Sequence, residues 1–181
     1  MLNGRIGIVH LIGVCHSFQL CALKPFQDGG LDIVGSSHIA RQFESYLNEA
    51  VEQLKPRVIC EEYSDAQLRD QLDVDDQAYL VAQRICIARG LVHVFCDPDQ
   101  SERDSLYSAH GTTEAEDKLN GYPILEGEWL RRLLPHVAKG PVFFVCGADH
   151  IGTFFQHLAK ADIQRSVVCE NFALKLEADI K

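Results

Sequence analysis

The chain has 181 residues, 46% of them hydrophobic and 24% charged, the make-up of one soluble globular domain with a substantial core. Lys and Arg number 17 against 26 Asp and Glu, a net charge of −9. There is no basic run, which excludes nucleic acid or an anionic membrane as the main partner, since both need clustered cations. No stretch approaches the roughly 18 continuous apolar residues of a membrane span. The N-terminal sequence MLNGRIGIVHLIGVCHS has a short apolar run broken by His10 and reads as a first strand, not a signal peptide. Seven cysteines, mostly inside strand-like runs, fit a reducing cytoplasmic setting.

In chain order, Arg5 to Ile12 is the first strand candidate, followed by Gly13-Val14-Cys15-His16. Ser17 to Gly35, with Pro25, Asp28, Gly29 and Gly30, reads as a loop. From Ser37 to Lys55, apolar residues from Ile39 to Leu54 recur every three or four positions and predict a helix, capped by Ser36 or Ser37 and ended by Pro56. RVIC (Arg57–Cys60) is a short buried strand with Glu61 and Glu62 at its end. Asp65 to Leu72 and Asp75 to Arg89 read as helices, and Gly90 closes the second. LVHVFC (Leu91–Cys96) is a strand closed by Asp97-Pro98. The polar stretch Gln100 to Tyr122 reads as a flap or a loosely packed helix and loop. Leu125 to Ala138 is a helix by pattern. PVFFVCGADHIG (Pro141–Gly152) reads as a buried strand, a tight turn at Gly147 and a helix start, leaving His150 just past the strand. Arg165 to Cys169 is a last strand, and Ala173 to Lys181 a short helix or tail.

Strand and helix alternate, which predicts a single α/β domain over 1–181 with a mainly parallel sheet of about five strands flanked by helices. The carboxyl ends of such strands share one edge, where ligands bind in open α/β sheets. That edge collects His16, Glu61, Glu62, Asp97, His150 and Glu170. Glu62 and Glu170 also read simply as the points where buried strands meet water, and Asp97 before Pro98 as a turn former.

GVCH (Gly13–His16) and GADH (Gly147–His150), with Glu61-Glu62 after an early strand, resemble the TraB/TIKI superfamily. That group is related in fold to erythromycin-esterase-like and ChaN-like proteins. Its pattern is two GxxH motifs with a Glu and a further Arg. The resemblance covers about Arg5 to Cys169 and implies site residues His16, Glu61 or Glu62, and His150, with Arg103 as the weaker match to the arginine. The chain is shorter than the usual family domain and has no TIKI-type secretion or membrane segment, so substrate and location do not carry across.

Two imidazoles and a carboxylate suit a catalytic divalent metal, and the expected ligands are His16, Glu61 and His150 holding Mn, Co or Zn. Such a metal would supply hydroxide near neutral pH, with Glu62 or Asp97 handling the proton. A metal-free version makes His16 or His150 the general base, held by a carboxylate. Either way the expected activity is hydrolysis of an amide or ester in a small-molecule or peptide substrate. The alternative is a binding module using the same edge, with haem on His or Cys side chains as its ligand.

Other residues carry simpler readings. Cys60, Cys96, Cys146 and Cys169 end strands with no C-x-x-C pair and read as small apolar filler, as does Cys15. His10 and His93 read as sheet residues, His136 and His157 as surface, and Trp129 as core. His110, in the flap, keeps a route to the site. Glu114 to Asp117 reads as a solvated face. No G-x-S-x-G elbow, Walker A sequence or G-x-G-x-x-G after a strand occurs.

Overall fold

The computed structural model describes residues 7–14, 34–65, 78–170 and 172, with the backbone alone at 34–41, 78 and 79. His16, Cys15 and the segments 15–33, 66–77 and 173–181 lie outside the described residues, as does the side chain of His38.

The architecture is α/β, with a five-stranded, all-parallel sheet in the order β3-β2-β4-β1-β5. The strands are β1 (Val9–Val14), β2 (Val58–Glu61), β3 (Val92–Phe95), β4 (Val142–Gly147) and β5 (Arg165–Cys169). The helices are α1 (Val34–Leu54), α2 (Ala78–Arg89), α3 (Gln100–His110), α4 (Glu114–Leu119), α5 (Pro123–Val137) and α6 (Ile151–Lys160). Strands β1, β2 and β4 are buried along their whole length, which is why they read as continuous apolar runs.

Alternation along the strands splits the core in two. On one face α1 and α2 bring Phe43, Leu47, Val81 and Ile85 onto Ile12, Ile59, Phe143 and Val145. On the other, α5 and α6 bring Trp129, Leu133, Phe154 and Leu158 onto Leu11, Cys60, Phe144 and Cys146. Each large side chain buried this way contributes about 1.5–3 kcal/mol. The chain steps from β1 out to β2 and β3 with α1 and α2 on the first face. It then returns to β4 and β5 with α5 and α6 on the second. Strand β4 therefore lies between β2 and β1, and its following helix leaves to the opposite face from theirs. The crevice beside its carboxyl end is the switch point where such sheets bind ligands.

The polar stretch 100–122 takes the helix alternative rather than the flap: it folds as α3 and α4, each opened by a complete capping box, Asp99 with Glu102 and Thr113 with Glu116. No helix among the described residues is long and apolar enough to cross a membrane.

Candidate active site

Glu62 and His150 meet at the end of β4. The Glu62 amide donates to the Val145 carbonyl at 2.9 Å, extending the β2–β4 ladder one residue past β2. Alternation therefore holds, and Glu61 and Glu62 take opposite faces. Glu62 turns to the α5/α6 side, where its Oε2 accepts the Gly147 amide at 2.6 Å and its Oε1 lies 3.4 Å from His150 Nε2. His150 ends a single 3₁₀ turn, Ala148–His150, between β4 and α6, and is 4% exposed.

A second carboxylate holds the other side of the imidazole. Glu126 on α5, fully buried, faces His150 Nδ1 at 2.9 Å through its Oε1, which also accepts the Thr153 hydroxyl. Its Oε2 has no hydrogen-bond partner among the described residues, and His157 Nε2 lies 3.7 Å away. The ring centroid of Trp129 lies 4.8 Å from that of His150, and that of Tyr122 lies 4.3 Å away. The hydrogen bond to Glu126 and the two aromatic rings thus help fix the orientation of the imidazole.

Asp97 and Arg103 form the neighbouring layer. Asp97, buried at the end of β3, accepts the Trp129 indole N–H at 2.9 Å and pairs with the Arg103 guanidinium. Arg103 also reaches Glu114 at 2.9 Å and the Pro98 carbonyl at 3.3 Å. Arg132 donates to the Asp97 carbonyl at 3.3 Å. Asp97 and Arg103 therefore sit together behind Trp129, and both act on Glu62 through charge.

The electrostatics follow from burial. Burial pushes the Glu62 carboxyl up to about 7 against the opposing pull of His150, the Gly147 amide and Arg103, with Asp97 adding to the rise. For His150 burial acts downward, but the Glu126 hydrogen bond and the charges of Glu62, Glu126 and Asp149 outweigh it and leave the imidazole raised. Both groups of the pair are thus shifted toward keeping their protons, Glu62 to about 7 and His150 upward, as is common where acid–base chemistry occurs.

Glu61 goes elsewhere. It shares register with Val145 on the α1/α2 face, and its Oε2 pairs with His93 Nε2 at 2.6 Å. The expected metal set of His16, Glu61 and His150 is corrected at this position: the glutamate beside His150 is Glu62. Among the described residues no group of three or more His, Cys, Asp or Glu side chains is placed to hold a metal ion.

Cys60, Cys96, Cys146 and Cys169 are buried and form no disulfide among the described residues, and burial pushes the Cys60 and Cys146 thiols well up, as suits filler. His110 ends α3 exposed, its ring bonded to the Leu106 carbonyl of its own helix. Asp117 corrects the solvated-face reading of its run. It is buried and accepts from the Ile124 and Leu125 amides and the Tyr107 hydroxyl.

Sequence reasoning missed Glu126. Its signal was a Glu three residues before Trp129, on the stripe that continues through Leu133 and Val137. A carboxylate on a buried helix face is uncommon enough to need a partner.

Comparison with family models, curated proteins and solved structures finds no match to this chain.

Proposed function

We propose that the protein is a hydrolase of amide or ester bonds, with His150 and Glu62 as its proton-transfer pair and Glu126 as the group that orients the imidazole. One observation carries this reading: Glu126 faces His150 Nδ1 at 2.9 Å, while Nε2 is turned toward Glu62 at the switch point of the sheet. A base held in one tautomer by a buried carboxylate is the arrangement general base catalysis uses. His150 Nε2 would take a proton from the attacking water. Glu62, with its carboxyl near 7, would relay that proton to the leaving group.

A carboxylate behind the distal nitrogen also suits a metal-binding histidine. His150 Nε2 and Glu62 would then hold a divalent metal with His16, which the TraB/TIKI resemblance implies. The metal would supply hydroxide near neutral pH. The surrounding residues keep the same tasks in both versions: Glu126 orients His150, and Asp97 with Arg103 sets the field at Glu62.

The test is a panel of p-nitrophenyl esters and amides, with and without added Mn, Co or Zn, assayed on wild type, His150→Gln and Glu62→Gln. Wild type is expected to turn over at least one substrate, and each variant to lose about 10²–10⁴-fold in kcat. The wild-type rate should rise with pH as Glu62 ionises near 7 and His150 loses its proton, and Glu62→Gln should keep only the limb that belongs to His150. Full activity in both variants would sink the assignment.

A further inference from the structure

Tyr122 sits in a backbone conformation that helix capping does not ask for. The starts of α3 and α4 are ordinary, with extended N-cap residues Asp99 and Thr113 whose side chains take a first-turn amide. Helix α5 begins on Tyr122 in the left-handed region, at φ 58° and ψ 36°, with no side-chain cap of its own. Among the described residues, the other non-glycine residues at positive φ are Lys55 and Asp162. Both follow helix ends, where left-handed residues commonly stop a helix, whereas Tyr122 lies between the end of α4 and the start of α5 and caps the latter. At a helix start the same conformation disfavours most side chains.

Asp117 of α4 takes over the cap. Its carboxylate accepts the Ile124 and Leu125 amides at 2.9 and 3.1 Å, and its carbonyl accepts the Tyr122 amide at 2.8 Å. Glycine or asparagine at 122 would fit this backbone with less strain. The residue present instead puts a half-buried aromatic ring 4.3 Å from the imidazole of His150, the planes 53° apart. The fully buried Trp129 takes the core side. Backbone strain kept at a site and held by a buried carboxylate points to a use for the side chain.

We propose that Tyr122 is the specificity-determining residue of this site. Its ring forms the wall beside His150 on which an apolar or aromatic group of the ligand packs. The assignment rests on the hydrolase reading for the bond that is cleaved, but not for the binding of the aromatic group.

Two unreactive amides test it, benzamide and acetamide, with binding read from the fluorescence of Trp129, the sequence's single tryptophan, and from the NMR signals of His150. Wild type should bind benzamide at least tenfold tighter than acetamide. Tyr122→Phe should keep that preference. Tyr122→Asn, which tolerates the left-handed backbone, should lose it with little change in melting temperature; Tyr122→Gly serves the same purpose if the Asn variant does not fold. A wild type without preference, or a ring-deleted variant that retains it, overturns the proposal. Preference without turnover of any ester or amide would instead sink the hydrolase reading and leave this one standing.

Discussion

Glu61 and Glu62 are adjacent in sequence and face opposite sides of one sheet. Burial lifts both carboxyls to about 7. Both have a histidine partner, His93 for Glu61 and His150 for Glu62. The difference is in what converges on each. Glu61 meets one imidazole from the edge strand β3, and its Oε1 has no hydrogen-bond partner among the described residues. Glu62 meets the Gly147 amide and an imidazole that is itself held by Glu126 and bracketed by two aromatic rings. A shifted pKa therefore does not single out a site here. The number of separate elements fixing one geometry does.

The sharpest way to break that contrast is activity. His150→Gln or Glu62→Gln should cost about 10²–10⁴-fold in kcat, while Glu61→Gln should stay within about twofold of wild type in the same assay. Equal losses at both glutamates would erase the distinction between the faces.

Stability gives the next effect. Glu126→Ala removes the buried partner of His150 and should cost about 3–5 kcal/mol in urea unfolding. A variant that unfolds like wild type would mean the His150 imidazole does not depend on that carboxylate.

The pH dependence separates Glu61 further. Its carboxyl moves from 4.5 when unfolded to about 7 when folded, so the folded state binds the extra proton between those values. Native stability attributable to this group is therefore full below pH 4.5 and declines as pH rises to 7, a cost of roughly 3 kcal/mol. Glu61→Gln should match wild type below pH 4.5 and exceed it above pH 7 in thermal melts across pH. A parallel offset at all pH values would refute the assignment of that cost to ionisation.

The smallest effect belongs to the cap. Asp117→Asn retains an acceptor for the α5 amides but loses the carboxylate, and should cost about 1 kcal/mol. Chemical denaturation checks this directly.

Much of the architecture was legible because apolar runs and their stops are local signals. The runs at 142–146 and 165–169 became β4 and β5 within a residue of their expected bounds. Counting apolar anchors alone leaves 100–122 open between a flap and a helix with loop. D-x-x-E at Asp99–Glu102 and T-x-x-E at Thr113–Glu116 are capping-box patterns that announce two helix starts. Trp129 was read as core, and it is; its indole N–H also holds Asp97, a contact between residues 32 positions apart that no local pattern encodes.

By itself the sequence determined the strand-and-helix alternation and the collection of His and acidic residues at one sheet edge. Those follow from periodicity and from where apolar runs end. Only the tertiary structure decided that Glu62 and not Glu61 accompanies His150, because the β2–β4 ladder continues one residue past β2, two past the apolar run. Only it brought Glu126 to His150 Nδ1, because the packing of α5 against α6 sets that distance, and side-chain packing between helices is not written in the spacing of either one.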